Sequence, residues 1–355
     1  MLAAILAVVV HLALPPEQQP YDERYRNAAA SATRLLEDWF GAIDRDEITL
    51  VHRSARRTPD DDGAVVVDMR WPVSRYLRTL ENDVVSALSR RYWSRRGPGS
   101  SDDAWLAEGL AEYSRARMME TMFPEGRPME LRLFGGHFSY ALRDRLAPVL
   151  PDSSNRAALA FVTLERYIGW SALQQALGEF APAWRSGTAG LPDLKAAINN
   201  AAGRDLSWLY AEAFDSRATY DFAIDQLTTE PAGQGTYRTV VVARRLGTAA
   251  FPGSAAVPAG PFAAAGAIDI EVRFGGDEPV RERWDGRAET VTYEYESSSP
   301  ATSAAIDPDD VIALDVRRAN NQRDLSSRPD GGSRTQQARW LTWVQDLLVT
   351  YSFFM

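Results

Sequence analysis

At 355 residues and 45% apolar composition, the chain is long enough to bury a full core and, by size, to form about two domains. A net charge of −9 with no basic stripe excludes nucleic acid as a partner class. With no cysteine in the chain, disulfides and thiolate metal sites are excluded as well.

Residues 2–14 read L-A-A-I-L-A-V-V-V-H-L-A-L and run into Pro15-Pro16. The run is shorter than the roughly 20 residues a spanning helix needs. Two readings stand. One is an export signal or anchor, with suitable apolar length but without a basic leader or an A-x-A site. The other is a β-strand of a truncated domain, because V-V-V-H-L-A-L is rich in β-formers. The first places the protein at the cell envelope, periplasmic or membrane-associated; the second places it in the cytoplasm.

Tyr21 to Phe40 carries Leu35, Leu36, Trp39 and Phe40 at helical spacing and stops at Gly41. Ile48 to Val51 and Ala64 to Val67 read as short strands split by a polar turn. Val73 to Arg95 reads as a helix with Leu77, Leu80, Val84, Leu88 and Tyr92 on one face. The Gly97-Pro98-Gly99 break ends it, and Asp102 or Asp103 caps a helix over Trp105 to Met119. Further helices are expected near 127–149, 155–168, 170–184, 191–202 and 205–215.

Near residue 230 the pattern changes. Tyr237 to Arg244, Ala267 to Phe274, Pro279 to Trp284, Glu289 to Glu296 and Val311 to Arg317 group β-formers between turn residues. They predict an antiparallel sandwich of about six strands, interrupted by the low-complexity stretch Phe251 to Gly266, expected to be a long loop. Trp340 to Met355 is rich in aromatics and reads as a C-terminal helix packed on the core, with peripheral membrane contact as the alternative. The organisation expected is an apolar segment (1–16), a helical domain (17–230), a β-sandwich (231–330) and a terminal helix (335–355), an α+β fold.

Two strings carry the chemistry. Residues 84–93 read V-V-S-A-L-S-R-R-Y-W and residues 105–113 read W-L-A-E-G-L-A-E-Y. The second resembles the W-L-x-E-G-[FL]-x-x-Y segment of the aminopeptidase N family, gluzincin metallopeptidases with a thermolysin-like catalytic domain. In that family the segment's glutamate ligates zinc, and H-E-x-x-H-Q-W-F on the preceding helix supplies two histidine ligands and the water-activating glutamate. Setting Tyr92-Trp93 on the W-F pair puts Ser86, Ala87 and Arg90 where His, Glu and His stand in the family. Glu108 keeps the third-ligand position, one residue closer to Arg90 than in the family pattern. Ser154-Asn155-Arg156-Ala157-Ala158-Leu159 resembles the helix start that carries the family's oxyanion tyrosine, so Ser154 falls at the tyrosine position. No G-x-M-E-N-like segment is visible; Gly63 to Met69 comes nearest and lacks the glutamate. The β region is similar to the appended sandwich of some bacterial members.

A zinc site of this kind needs two imidazoles four residues apart on one helix face, and Ser86 and Arg90 have that spacing with the wrong chemistry. A hydroxyl and a permanent cation do not replace two imidazoles. The chain's three histidines, His11, His52 and His137, fall in separate elements and at no ligand spacing. The resemblance therefore implies a zinc cofactor that these residues do not hold, and no catalytic residue is assigned. The expectation is an inactive homologue of a zinc aminopeptidase, kept as a binding or scaffold protein for a peptide or protein partner. Arg90 is expected to pair with Glu108 in place of the ion, and Glu108 or Glu112 to receive an α-amine. The alternatives are an active hydrolase of that family using another site, and a decayed gene fragment.

Overall fold

The computed structural model describes residues 9–43, 47–52, 65–67, 78–95, 103–124, 153–215, 218–251, 268–276 and 278–325. These form two compact units that divide between Ala202 and Gly203.

The first unit opens with a parallel sheet. Strand β1 (Val9–Ala13) pairs with β2 (Glu47–His52), with Val9 opposite Glu47, and β2 pairs with β3 (Val65–Val67), with Leu50 opposite Val65. Parallel neighbours require a long crossover, and helix α1 (Asp22–Phe40) supplies it between β1 and β2. The β-prone segment held open above as signal or strand thus contains a strand; residues 1–8 lie outside the described residues.

Helix α1 forms where the 3.6-residue pattern predicts it. Tyr25, Ala28, Ala29, Ala32, Leu36 and Phe40 make its buried stripe. Gly41 ends it at φ 95°, a backbone region that costs a Cβ-bearing residue energy, and its N–H returns to Glu37 O at 3.0 Å. Among the described residues the unit continues with α2 (Thr79–Trp93), α3 (Ala104–Met122), α4 (Ser153–Ile168) and α5 (Trp170–Ser186), followed by α6 (Leu191–Ala202). The first turns of the helix expected from Val73, and the helix expected at 127–149, lie outside the described residues. Helix α5 approaches α1 closely at Gly178, where a Cβ would stand 3.3 Å from Trp39 O.

The core of this unit is tied by polar ends of aromatic rings. Trp93 Nε1 donates to Ser114 Oγ at 2.8 Å, Trp184 Nε1 donates to Trp93 O at 2.9 Å, and Tyr92 donates its hydroxyl to Phe40 O at 2.7 Å. Tyr92 and Trp93 therefore lock α2 to α1, α3 and α5, with large apolar bodies buried and every polar tip bonded.

The second unit begins with a short helix, α7 (Ser207–Tyr210), widening into a π turn at Ala211–Asp215. Seven strands follow: β4 (Phe222–Gly233), β5 (Thr236–Arg245), β6 (Ile268–Phe274), β7 (Val280–Trp284), β8 (Thr290–Ser297), β9 (Ala301–Ile306) and β10 (Gln322–Asp324). They form two antiparallel sheets in the orders β4-β5-β8 and β10-β9-β6-β7, with β4 packed on β9.

Three strands, β4, β9 and β10, were not expected, and one expected strand is absent. Val311 to Arg317 is a turn whose only strand-like feature is a bridge from Asp315 to Tyr220. Its apolar residues Ile312, Ala313 and Leu314 are buried all the same. The backbone N–H groups of Val311 and Ile312 each donate at 2.8 Å to the carboxylate of Asp307, so a side chain and not a neighbouring strand satisfies them. The division expected at residue 230 falls inside β4, because that strand and the helical turns before it belong to the unit starting at Gly203. Most of the expected loop after Phe251, and the expected C-terminal helix, lie outside the described residues. Among the described residues no helix is long and apolar enough to cross a membrane.

Candidate functional site

The two strings that carry the resemblance are α2 and α3, and they pack together. Along α2 the residues Leu80, Val84 and Leu88 are buried, which leaves Asn82, Ser86 and Arg90 as a flanking edge at four-residue spacing. On α3, Glu108 and Glu112 repeat that spacing. The helices run in opposite directions, since the late residue Arg90 meets the early residue Glu108, and the early residue Asn82 meets the late residue Arg115.

Arg90 Nε donates to Glu108 Oε1 at 2.7 Å. The expected pairing therefore exists, but in a different environment from the one expected. The Arg90 side chain is 56% exposed and that of Glu108 39%, so the pair sits at the protein surface and contributes on the order of 0.5 kcal/mol. No buried carboxylate is being compensated. Ser86 and Ala87 are half-buried, one turn before Arg90. Ser154 is the second residue of α4, and its side chain lies outside the described residues.

Glu112 is engaged along its own helix. Arg115 Nε donates to Glu112 Oε2 at 2.9 Å, Arg115 Nη2 donates to Oε1, and Arg115 Nη1 reaches across to Asn82 Oδ1. The two carboxylates proposed to receive an amine thus each hold a guanidinium, and an incoming ammonium has to displace one. Asn82 and Arg115 were not singled out in the sequence. The signal was there in part: Arg115 follows Glu112 by three residues and Asn82 precedes Ser86 by four, both same-face spacings.

Behind this seam lies a third charged cluster. Tyr113, the last residue of the W-L-A-E-G-L-A-E-Y string, donates to Glu165 Oε2 at 2.6 Å. Arg117 donates to the other oxygen of Glu165 and stacks on Trp170, 3.6 Å from the ring centroid. Burial, followed by the charge of Glu165, pushes the Tyr113 phenol well above its ordinary pKa. It is a permanent donor inside the helical core.

Zinc does not fit the seam. The carboxylates there, Glu108 and Glu112, are each held by a guanidinium that would oppose a dication at that point. Ser86 offers a neutral hydroxyl. Among the described residues no group of three or more His, Cys, Asp or Glu side chains is placed to hold a metal ion. His11 stands exposed on β1, and the side chains of His52 and His137 lie outside the described residues.

No protein-family profile matches the chain, and no curated protein matches it. Solved structures do. The aminopeptidase A of Legionella pneumophila, crystallised with aspartic acid, superposes with a TM-score of 0.52 at 13% identity, over 86% of this chain and 36% of that one. An M1 zinc metallopeptidase of Deinococcus radiodurans bound to a Tyr-Ser-Ala substrate gives 0.39 at 20% identity, over 57% of this chain and 44% of that one. A further structure of the Deinococcus M1 zinc metallopeptidase gives 0.36 at 20% identity, over 53% and 41%. The chain therefore spans less than half the length of these neighbours. The likeness rests on the first of them and extends to the fold alone: this is a mixed helix and strand chain with a fold like part of the Legionella aminopeptidase A.

Proposed function

We propose that this chain is a peptidase-derived binding or scaffold protein that does not cleave peptide bonds by a zinc mechanism, and that it engages a peptide or protein partner. One observation carries the reading. The guanidinium of Arg90 donates at 2.7 Å to Glu108, the carboxylate that the resemblance makes a zinc ligand. A zinc peptidase uses the ion to polarise the carbonyl and to generate its nucleophile, so each function lost with the ion costs several kcal/mol of transition-state stabilisation. The hydroxyl of Ser86 and the methyl of Ala87 supply neither metal ligation nor a general base.

The test is metal analysis of purified protein together with hydrolysis of a panel of chromogenic aminoacyl anilides. The expected result is far less than one zinc per chain and no cleavage above the buffer rate. Stoichiometric zinc, with cleavage abolished by a chelator and restored by adding the metal back, would overturn the proposal.

A further inference from the structure

A second feature of the first unit lies at the other end of α2 and α3. Nine residues separate Glu81 from Arg90, about 13 Å of helix, so this place is distinct from the Arg90–Glu108 seam. Here α1, α2 and the last turn of α3 enclose a groove of about 420 Å³. One face of α1 lines it, with Arg24, Asn27, Ser31 and Arg34 at three- and four-residue steps.

The charges in this groove do not cancel. Arg24 is held in a two-pronged bond to the buried Glu81, with Nε on Oε1 at 2.9 Å and Nη2 on Oε2 at 2.8 Å. That fork orients the guanidinium and neutralises the carboxylate, while further N–H groups of Arg24 remain to donate. Arg34 is exposed and has no partner among the described residues, and the same holds for the side chains of Asn27 and Ser31. Among the lining residues one positive charge, that of Arg34, is left over, with neutral donors beside it. The rest of the wall is apolar, formed by Ala28, Leu35, Met122 and Phe123. Arg78 stacks on the Phe123 ring at 4.5 Å and steadies that wall.

We infer that this groove binds the carboxylate of a small apolar monoanion, with Arg34 and the free edge of Arg24 on the head and the Leu35–Phe123 wall on the body. A monocarboxylate matches the single surplus charge and the planar guanidinium fork. The volume lies in the range of small-molecule sites. Two sources share this chemistry, the C-terminal residue of a peptide and a free aliphatic acid. The inference does not depend on the seam being inactive, so peptidase activity would defeat the proposed function and leave this site untouched.

The experiment is calorimetric titration of the full chain with N-acetyl-alanyl-leucine, its C-terminal amide, octanoate and inorganic phosphate. The acid peptide is expected to bind with a Kd on the order of 0.1–1 mM, as its size allows. The amide should bind about 10-fold more weakly or worse, and Arg34→Gln should weaken the acid by a similar factor because a charge-assisted bond is removed. Since Arg34 is exposed and bonded to no described residue, its replacement should leave the circular dichroism spectrum unchanged. Octanoate binding more tightly than the peptide supports the site and names an aliphatic acid as its source. Equal binding of acid and amide, no effect of Arg34→Gln, displacement of the acid by an equal concentration of phosphate, or no binding of either acid overturns it.

Discussion

Tyr113 and Glu165 join α3 to α4 through a 2.6 Å hydrogen bond in which the phenol is the donor. The same carboxylate binds Arg117, which in turn lies on the face of Trp170 at the start of α5. Three helices are thus pinned by one acid. The tyrosine that ends the W-L-A-E-G-L-A-E-Y string thus makes its contacts with the core.

Replacing the acid should cost more than replacing the phenol. Glu165→Ala strands a part-buried guanidinium and a buried hydroxyl together, and should destabilise by about 3 kcal/mol. Tyr113→Phe removes one charge-assisted bond and leaves the Arg117–Glu165 pair intact, a loss of about 1–2 kcal/mol. Urea unfolding followed by tryptophan fluorescence measures both. Equal losses for the two variants would mean that the carboxylate is not the hub.

The exposed ion pair behaves differently. Arg90→Gln removes the cation from Glu108 where both side chains already reach solvent, so the unfolding midpoint should move by no more than about 0.5 kcal/mol equivalent. A loss several times larger would show that the pair carries structural weight that its exposure does not suggest.

Because Ser86 and Arg90 share an edge of α2 opposite Glu108, two imidazoles placed there would converge on that carboxylate. The double variant Ser86→His with Arg90→His should bind zinc in equilibrium dialysis roughly 100-fold more tightly than either single variant, since two imidazoles and a carboxylate make a three-ligand site. Adding Glu108→Ala should remove most of the gain. A double variant no better than the singles would break the correspondence between these positions and a zinc site.

Much of the first unit was legible because helices such as α1 and α2 bury one stripe each. Leu80, Val84, Leu88 and Tyr92 mark α2 by spacing alone, and Gly41 marks the end of α1. The strands of the second unit were harder. In β4 a bulge between Ile224 and Gln226 breaks the two-residue alternation that identifies a strand. In β9 the sequence A-T-S-A-A-I buries small residues of low strand propensity. Val311 to Arg317 misleads in the opposite sense, because its β-formers are buried as a turn held by Asp307. At the seam, helical spacing put Ser86 and Arg90 on one edge of α2, and Glu108 came from the resemblance of the α3 string. The bridge from Arg115 to Asn82 depends on how α2 and α3 cross, which one helix's periodicity does not encode.

Asp315 makes the second unit sensitive to pH. It is buried, and burial pushes its carboxyl up to about 7, against the N–H groups of Arg317 and Phe222 and the amide of Asn321 that favour the charged form; the nearby Asp221 adds to the rise. Asp307 is raised in the same direction, to about 6, again by burial first. The folded state therefore holds these protons more tightly than the unfolded chain does. Stability from Asp315 is fully present below the unfolded pKa near 3.8 and is lost as pH rises through about 7, a contribution of about 4 kcal/mol at most. Thermal unfolding of the wild type between pH 5 and 8 should show this unit melting at lower temperature as pH rises. Asp315→Asn, which has no proton to lose, should melt with a shallower dependence, by close to one proton's worth of slope near pH 5, a difference that fades as pH passes about 7. Identical slopes in the two proteins would mean that Asp315 is already ionised at pH 5, and that its three N–H donors outweigh its burial.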